Sequence, residues 1–139
     1  MKPRYRAWDV LAEKMIDEIL MISFVRKEII GKFSDGSTSV PLKFEDERNG
    51  EDVILMQSTG LRDKNGKEIF EGDILDYKGR KALVRWHGSY ASFIYRFVDE
   101  LQNRNTEWKP LYLAYMKCEI IGNVWEDGDL IDGKKTSEN

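Results

Sequence analysis

Long apolar runs and repeated cysteines are missing from this sequence of 139 residues. The longest apolar stretch, residues 111–116, is far shorter than the ~20 residues that a membrane-spanning helix needs, so we expect no membrane association. The N-terminus has basic residues but neither the apolar stretch nor the small-residue cleavage site of a secretory signal. Cys118 is the single cysteine, which excludes an internal disulfide and predicts a reducing, cytoplasmic compartment.

Side chains that carry chemistry are equally scarce. His87 is the only histidine and lies about thirty residues from Cys118 without neighbouring ligands, so this pair predicts neither a metal site nor a charge-relay site. Gly60 and Gly66 are separated by five residues where a phosphate-binding loop has four, and Lys67 is not followed by serine or threonine. We therefore predict a protein that is not an enzyme, with no catalytic residues, no metal and no cofactor.

Apolar and charged residues are both plentiful. Hydrophobic residues make up 41% of the chain and charged residues 34%, a balance that favours a folded domain over wholesale disorder. The formal net charge of −3 argues against nonspecific coating of nucleic acid, although a local basic surface is compatible with it.

The N-terminal half of the chain predicts β-strands, with one ambiguous segment. Residues 4–8 predict a first strand and residues 40–44 a short edge strand. Between them, residues 15–33 fit two patterns, because the first part has apolar residues at helical spacing while residues 28–33 are typical of a strand. Strands are favoured in this segment, and a helix is the alternative.

The C-terminal half predicts short strands joined by tight turns. Asn65-Gly66 is predicted to be a two-residue hairpin turn in which both residues have positive φ. Gly122 predicts a bulge or a kink within a later strand. The strands predicted after the hairpin are residues 74–77, 82–87, 91–98, 111–116 and 119–125. Five short strands at this spacing favour a small SH3-like barrel.

The predicted fold class is therefore mainly β, with α+β as the alternative. Residues 59–131 form the predicted SH3-like barrel, and residues 1–58 form a β-rich N-terminal extension packed on it. Residues 132–139 are polar and predict a disordered tail.

One predicted hairpin combines cations with aromatic side chains. Small barrels use this combination to bind single-stranded nucleic acid, because cations contact phosphates and rings stack on bases. The alternative is that the rings belong to the core and the cations only keep the hairpin hydrated. The residues of this candidate nucleic-acid face are Lys78, Arg80, Lys81, Arg85, Trp86 and Arg96.

Two apolar segments predict a homo-oligomer. As a strand, residues 111–116 would present apolar side chains on both faces, so a barrel edge at this position would need cover from a second chain. Residues 28–33 form a short apolar strand outside the proposed barrel, with too little chain around it for a core of its own. The alternative is that the two segments cover each other within one chain. The candidate interface residues are Leu111, Leu113, Tyr115, Ile29 and Ile30.

A longer pattern resembles a known family. The run LMQSTGLRDKNGKEIFEGDIL at residues 55–75 is similar to the YopX family of phage and prophage proteins. The opening RYRAWD at 4–9 and the closing EIIGNVWE at 119–126 also resemble the two ends of that family, and the likeness is weakest at 15–51. The resemblance implies a phage or prophage origin, a place in the cytoplasm of the bacterial host, assembly of several chains, and no agreed catalytic residues or activity.

The function expected from these observations is that of a noncatalytic phage or prophage accessory protein that acts by self-assembly and macromolecular binding. A small module that binds single-stranded nucleic acid through the candidate face is the alternative. An unidentified phage or host protein is a further candidate partner.

Overall fold

Strands dominate the computed structural model, which describes residues 4–46, 50–103 and 107–132. Strands hold 52% and helices 10% of the structure, so the prediction of a mainly β fold is confirmed. The chain divides into two compact units, residues 1–58 and residues 59–139. The tail predicted at 132–139 lies outside the described residues, apart from residue 132.

The first unit is built on an antiparallel sheet with the strand order β4-β3-β2-β1-β5. Its core combines Ala7, Ile16, Ile29, Phe44 and Val53, which are buried almost completely. The strands are β1 (Tyr5–Asp9), β2 (Lys14–Ser23), β3 (Glu28–Phe33), β4 (Leu42–Lys43) and β5 (Val53–Arg62), and β5 continues into the second unit.

The ambiguous segment at 15–33 forms two paired strands, which confirms the favoured prediction. β2 pairs with β1 on one side and with β3 on the other, so Ile16 lies fully buried opposite Ala7. β-Branched side chains pack well on such a pleated surface, and this packing outweighs the helical spacing of the apolar residues.

Gly31 lets β3 approach β2 closely. A Cβ atom at Gly31 would overlap the Cγ2 atom of Ile16 and would lie 3.0 Å from the carbonyl oxygen of Glu18. The backbone of Gly31 is also fixed by Ser39, whose Oγ accepts the Gly31 N–H at 3.0 Å and whose N–H donates to the Gly31 carbonyl at 2.8 Å. With isoleucine at position 16, the packing of β3 against β2 therefore requires glycine at position 31.

The second unit contains another antiparallel sheet, with the order β10-β9-β8-β7-β11. The strands predicted at 74–77, 82–87 and 91–98 are confirmed and form a three-stranded meander, and a register shift between Ile120 and Gly122 confirms the bulge predicted at Gly122. The strands are β6 (Glu68–Phe70), which lies beside β5, then β7 (Asp73–Tyr77), β8 (Arg80–His87), β9 (Ser92–Phe97), β10 (Lys109–Pro110) and β11 (Cys118–Asn123).

The extended strand predicted at 111–116 is wrong. The chain instead forms the 3-10 helices Leu111–Leu113 and Tyr115–Lys117, which follow Pro110. Leu111 and Ala114 are buried, and this spacing of three places both on one side of a 3-10 segment. The remaining described helices are the 3-10 turn Val98–Glu100 and α1 (Asp129–Asp132).

The SH3-like barrel is not confirmed, because the two sheets are not closed into a barrel. β10 has only two residues and ends at Pro110, which cannot donate a backbone hydrogen bond. The residues that were expected to continue as a strand are helical, so no extended backbone remains at this point to close the sheet.

One face of the second sheet carries the core of its unit. Ala82 is paired with Phe97 and Val84 with Tyr95, and all four side chains are buried. The remaining core residues are Ile69, Leu75, Leu111, Ala114 and Cys118.

The turn after β5 is organised by the buried carboxylate of Asp63. Its Oδ1 accepts the N–H groups of Asn65 and Lys67, each at 2.9 Å, and its Oδ2 accepts the N–H of Ile120 at 2.9 Å. Burial disfavours the charged form of Asp63, but the backbone donors outweigh burial and lower its pKa below the ordinary value. The carboxylate therefore shapes the turn and joins it to β11.

The two-residue turn predicted at Asn65-Gly66 is wrong. The Asp63 N–H donates to the Lys67 carbonyl and the Gly66 N–H donates to the Asp63 carbonyl, so Lys64, Asn65 and Gly66 form a three-residue loop. Of the predicted pair, only Gly66 has a positive φ, at 83°. This is the type I turn with a following left-handed residue that three-residue hairpins adopt.

Replacing Gly66 by valine should lower the free energy of unfolding by about 1 kcal/mol or more, because a β-branched residue is strained at positive φ. Gly66→Asn is the matched control, since asparagine tolerates the left-handed region and should cost less. Urea denaturation of both variants measures the difference. Equal stability of Gly66→Val and the parent would contradict the assigned turn geometry.

Asp63 should make the fold sensitive to acid. Its folded-state pKa lies below the unfolded value of about 3.9, so its contribution is complete above that value and is lost as pH falls through the folded pKa. Asp63→Asn places an amide against several backbone donors and should cost about 1–3 kcal/mol at neutral pH.

Urea denaturation between about pH 7 and pH 2 tests this contribution, because Asp63→Asn should remove part of the loss of stability in acid. Asp35→Asn is the control: hydrogen bonds from Ser37 also lower the Asp35 pKa, but this carboxylate is exposed and its bonds stay within its own turn, so Asp35→Asn should change the pH profile less than Asp63→Asn does. Identical pH profiles for Asp63→Asn and the parent would refute the assigned role.

Candidate ligand-binding cleft

The pairing of β8 with β9 determines which side chains of these two strands lie on the same face. Successive side chains of a strand point to opposite faces. Val84 and Tyr95 are paired on the core face, whereas Leu83 and Arg96 are paired on the opposite face. Arg85 shares the face of Leu83 because it lies two residues further along β8.

The residues of the predicted nucleic-acid face fall in three places. They are Lys81, Arg85 and Arg96 on the face opposite the core, Arg80 and Trp86 on the core side, and Lys78 in the turn before β8. The structure brings three of the six together and separates the others, because alternate residues of β8 point in opposite directions.

Arg80 is already engaged within the protein. Its guanidinium carbon lies 3.6 Å from the ring centroid of Phe97, and its Nη2 donates to Asp99 at 2.7 Å and lies 3.2 Å from Glu100. The hydrogen bond to Asp99 is the main cause of a raised Arg80 pKa. A guanidinium held by an aromatic ring and two carboxylates is poorly placed to bind a ligand.

Arg85 and Arg96 instead line a cleft of about 540 Å³. Its other lining residues are Leu83, Leu101, Trp108, Val124, Gly128 and Ile131. The lining therefore combines apolar side chains with two cations, and no carboxylate lines the cleft within the described part of the chain. This composition suits an anionic ligand that also has an apolar or aromatic part.

Trp108 and Arg96 meet inside this cleft. The guanidinium carbon of Arg96 lies 5.7 Å from the ring centroid of Trp108, and its Nη2 donates to the Asn103 carbonyl. The Arg96 Nε is buried and has no hydrogen-bond partner among the described residues. Sequence reasoning missed Trp108, because it lies in a polar connection where no strand periodicity assigns it to a face.

A second aromatic group lies further along the same face of β8. His87 lies two residues after Arg85, and its ring stacks on Tyr90 with the centroids 4.3 Å apart and an interplanar angle of 18°. Tyr90 is exposed. The face therefore carries the two arginines with aromatic rings beyond each of them.

The first unit has a cleft of a different character. It measures about 650 Å³ and is lined by Tyr5, Ile19, Ile22 and Phe24 together with Arg4, Asp17 and Glu18. Acidic and basic side chains are mixed in this lining, so it offers no clear preference for an anion or a cation.

The candidate oligomer residues differ in exposure. Leu111 and Ile29 are buried in the cores of their own units, Ile30 is half-buried, and Tyr115 packs against the core of the second unit. Leu113 is 68% exposed. Its exposed neighbours Tyr112 and Met116, at 62% and 70%, were not predicted as interface residues.

Cys118 is poorly suited to nucleophilic chemistry. Its Sγ donates to the Ala114 carbonyl at 3.2 Å, and burial, helped by Asp76 and Asp63, raises its pKa to about 11. Across residues 4–46, 50–103 and 107–132, no group of three or more His, Cys, Asp and Glu side chains could hold a metal ion. Over the same ranges, no helix is long and apolar enough to cross a membrane.

Comparison with known proteins places these features in a family context. The family model described as YopX protein matches residues 4–132. Among solved structures, the chain is similar to the crystal structure of protein EF1440 from Enterococcus faecalis, with 25% identity and a TM-score of 0.61 over 95% of this chain and 99% of that one. A search of curated proteins finds no match.

The thiol of Cys118 should react slowly with Ellman's reagent in the native protein at pH 8, because a pKa of about 11 leaves only about one thiol in a thousand ionised. Urea should make the reaction fast. The matched control carries Cys118→Ser and Ser89→Cys, which moves the thiol to an exposed turn and should react quickly without urea. Equal native rates for the parent and the control would contradict the burial of Cys118.

Proposed function

The chain belongs to the YopX protein family, and from that premise we propose that it is a noncatalytic accessory protein of a phage or prophage. On this proposal it acts in the cytoplasm of the bacterial host by assembling with copies of itself and by binding another macromolecule.

The observation that carries self-assembly is an exposed apolar surface on the 3-10 segment, made of Tyr112, Leu113 and Met116. Each of these side chains is more than 60% exposed. Buried Leu111 and Ala114 hold the same segment against the core, so the surface is presented by a fixed backbone. We call it the self-association surface.

A second copy of this chain is the occupant that this surface fits best. Aromatic and methionine side chains are enriched at protein interfaces, and burial of a large apolar side chain contributes about 1.5–3 kcal/mol. Residues 111–116 contain no charged side chain, so two identical surfaces can meet around a two-fold axis without repulsion between like charges.

Light scattering coupled to size-exclusion chromatography tests this proposal. At micromolar concentration the parent should elute as an integer multiple of 16.3 kDa. The double variant Leu113→Glu/Met116→Glu should elute at 16.3 kDa, because it places charge on the surface that must be buried.

Lys117→Glu is the matched control, since it places a carboxylate on an exposed residue of the same segment and should keep the parent mass. Lys117→Glu should leave the melting temperature nearly unchanged, whereas the double variant should still unfold cooperatively but at a lower temperature, because dissociation removes the stabilisation that assembly supplies. A parent mass of 16.3 kDa at micromolar concentration would refute self-association.

A further inference from the structure

Two arginines, Arg85 and Arg96, lie close together on the face of β8 and β9 opposite the core, and the carboxylate of Asp76 on that face lies opposite Lys81 near the start of β8. Arg85 is opposite Ile94 and Arg96 is opposite Leu83, so the two arginines are diagonal neighbours, about 7–8 Å apart at the backbone. Neither has an ion pair with a carboxylate among the described residues. Two such neighbouring cations repel each other, and an anion placed between them would relieve that repulsion.

Acidic residues flank several lining residues in sequence, but none of those that the structure describes lines the cleft. Glu100 precedes Leu101 and lies 3.2 Å from Arg80 Nη2, and Glu107 precedes Trp108.

Asp127 and Asp129 flank Gly128, which lines the cleft. The Asp127 Oδ2 accepts the N–H of Asn123 at 3.1 Å, so this carboxylate is engaged in its own turn. The net charge of −3 belongs to the whole chain and does not set the local potential in the cleft.

Aromatic rings extend the cationic face in both directions. Trp108 lies beside Arg96 in the cleft, and the stacked pair of His87 and Tyr90 lies beyond Arg85. We call these five residues the arginine–aromatic track. Along β8 alone, residues 83–87 extend over about 13 Å, which is longer than one nucleotide, since stacked nucleotides rise by about 3.4 Å each.

We propose that the arginine–aromatic track binds single-stranded nucleic acid, with the guanidinium groups of Arg85 and Arg96 on phosphates and the rings of Trp108 and Tyr90 stacked on bases. A single strand is favoured over a duplex because stacking on a side chain requires an unstacked base. The proposal does not depend on self-association, because it uses none of the residues of the self-association surface.

Fluorescence anisotropy with a labelled oligothymidylate of about 15 nucleotides tests the track at low salt, where phosphate contacts are strongest. Arg85→Glu should weaken binding by at least about tenfold. Lys78→Glu is the matched control, because it reverses the same charge in an exposed turn that is outside the track, and should weaken binding by less than about threefold.

The salt dependence of the binding affinity distinguishes phosphate contacts from stacking contacts. Arg85→Ala should make the slope of log affinity against log salt concentration shallower by about 0.7, because one phosphate contact to a single strand is lost. Trp108→Ala should weaken binding about tenfold with the slope unchanged, because stacking releases no counterions. Trp108→Phe keeps a ring and should retain most of the affinity, which controls for loss of folding.

Competition with unlabelled molecules tests whether the ligand is a single strand of nucleic acid. Unlabelled oligothymidylate should displace the probe, whereas thymidine monophosphate and polyglutamate should require at least about a hundredfold higher concentration. Displacement by polyglutamate at equal charge would show that the track binds anions in general. Displacement by the mononucleotide at equal concentration would show that it binds a single nucleotide. Either result would overturn the proposal. So would the absence of binding at low salt, or an equal loss of affinity in Arg85→Glu and Lys78→Glu.

Discussion

The carboxylate of Asp63 holds the turn after β5 against β11, and this contact organises the second unit. A turn and a strand that are 57 residues apart in sequence share this one side chain, because its two oxygens accept backbone N–H groups from both. The neighbouring Lys64 N–H donates to the Cys118 carbonyl at 2.9 Å, so the turn satisfies both a donor and an acceptor of β11. β11 is the last strand of its sheet, and this contact covers part of an edge that would otherwise be open to pairing with another chain.

The candidate cleft follows from the two-sided character of the sheet next to that edge. One side of β8 packs Ala82 and Val84 into the core, and the other side carries Leu83 and Arg85. A strand with a core on one side and a mixed apolar and cationic cleft on the other needs no special backbone, because successive side chains of a strand point to opposite faces. The meander is thus both the support of the core and the support of the candidate site.

The sequence predicted well those elements in which all residues of a segment favour the same local structure. The alternation of β7, β8 and β9, the strand at Glu28–Phe33 and the bulge at Gly122 were all visible in this way. The segment at 111–116 was misassigned because every position is apolar, so periodicity could not separate a strand from a 3-10 helix. The turn at Asn65-Gly66 was misassigned because the dipeptide pattern ignores the side chain of Asp63, which forms bonds on both sides of it.

The candidate nucleic-acid face was half predictable for a similar reason. Proximity in sequence grouped Arg80 with Arg85, but strand geometry separates residues at odd spacing and joins Arg85 to Arg96 across the hairpin. Trp108 could not be assigned, because its position depends on a long-range pairing of β10 with β9.

Gly31 has a consequence for how sequences of this kind can diverge. Its missing side chain and the branched side chain of Ile16 occupy complementary parts of one space. An alanine at position 31 becomes acceptable only after position 16 has acquired a smaller residue, and the reverse order passes through an overpacked intermediate. The two positions are therefore expected to drift as a pair, with the change at 16 first.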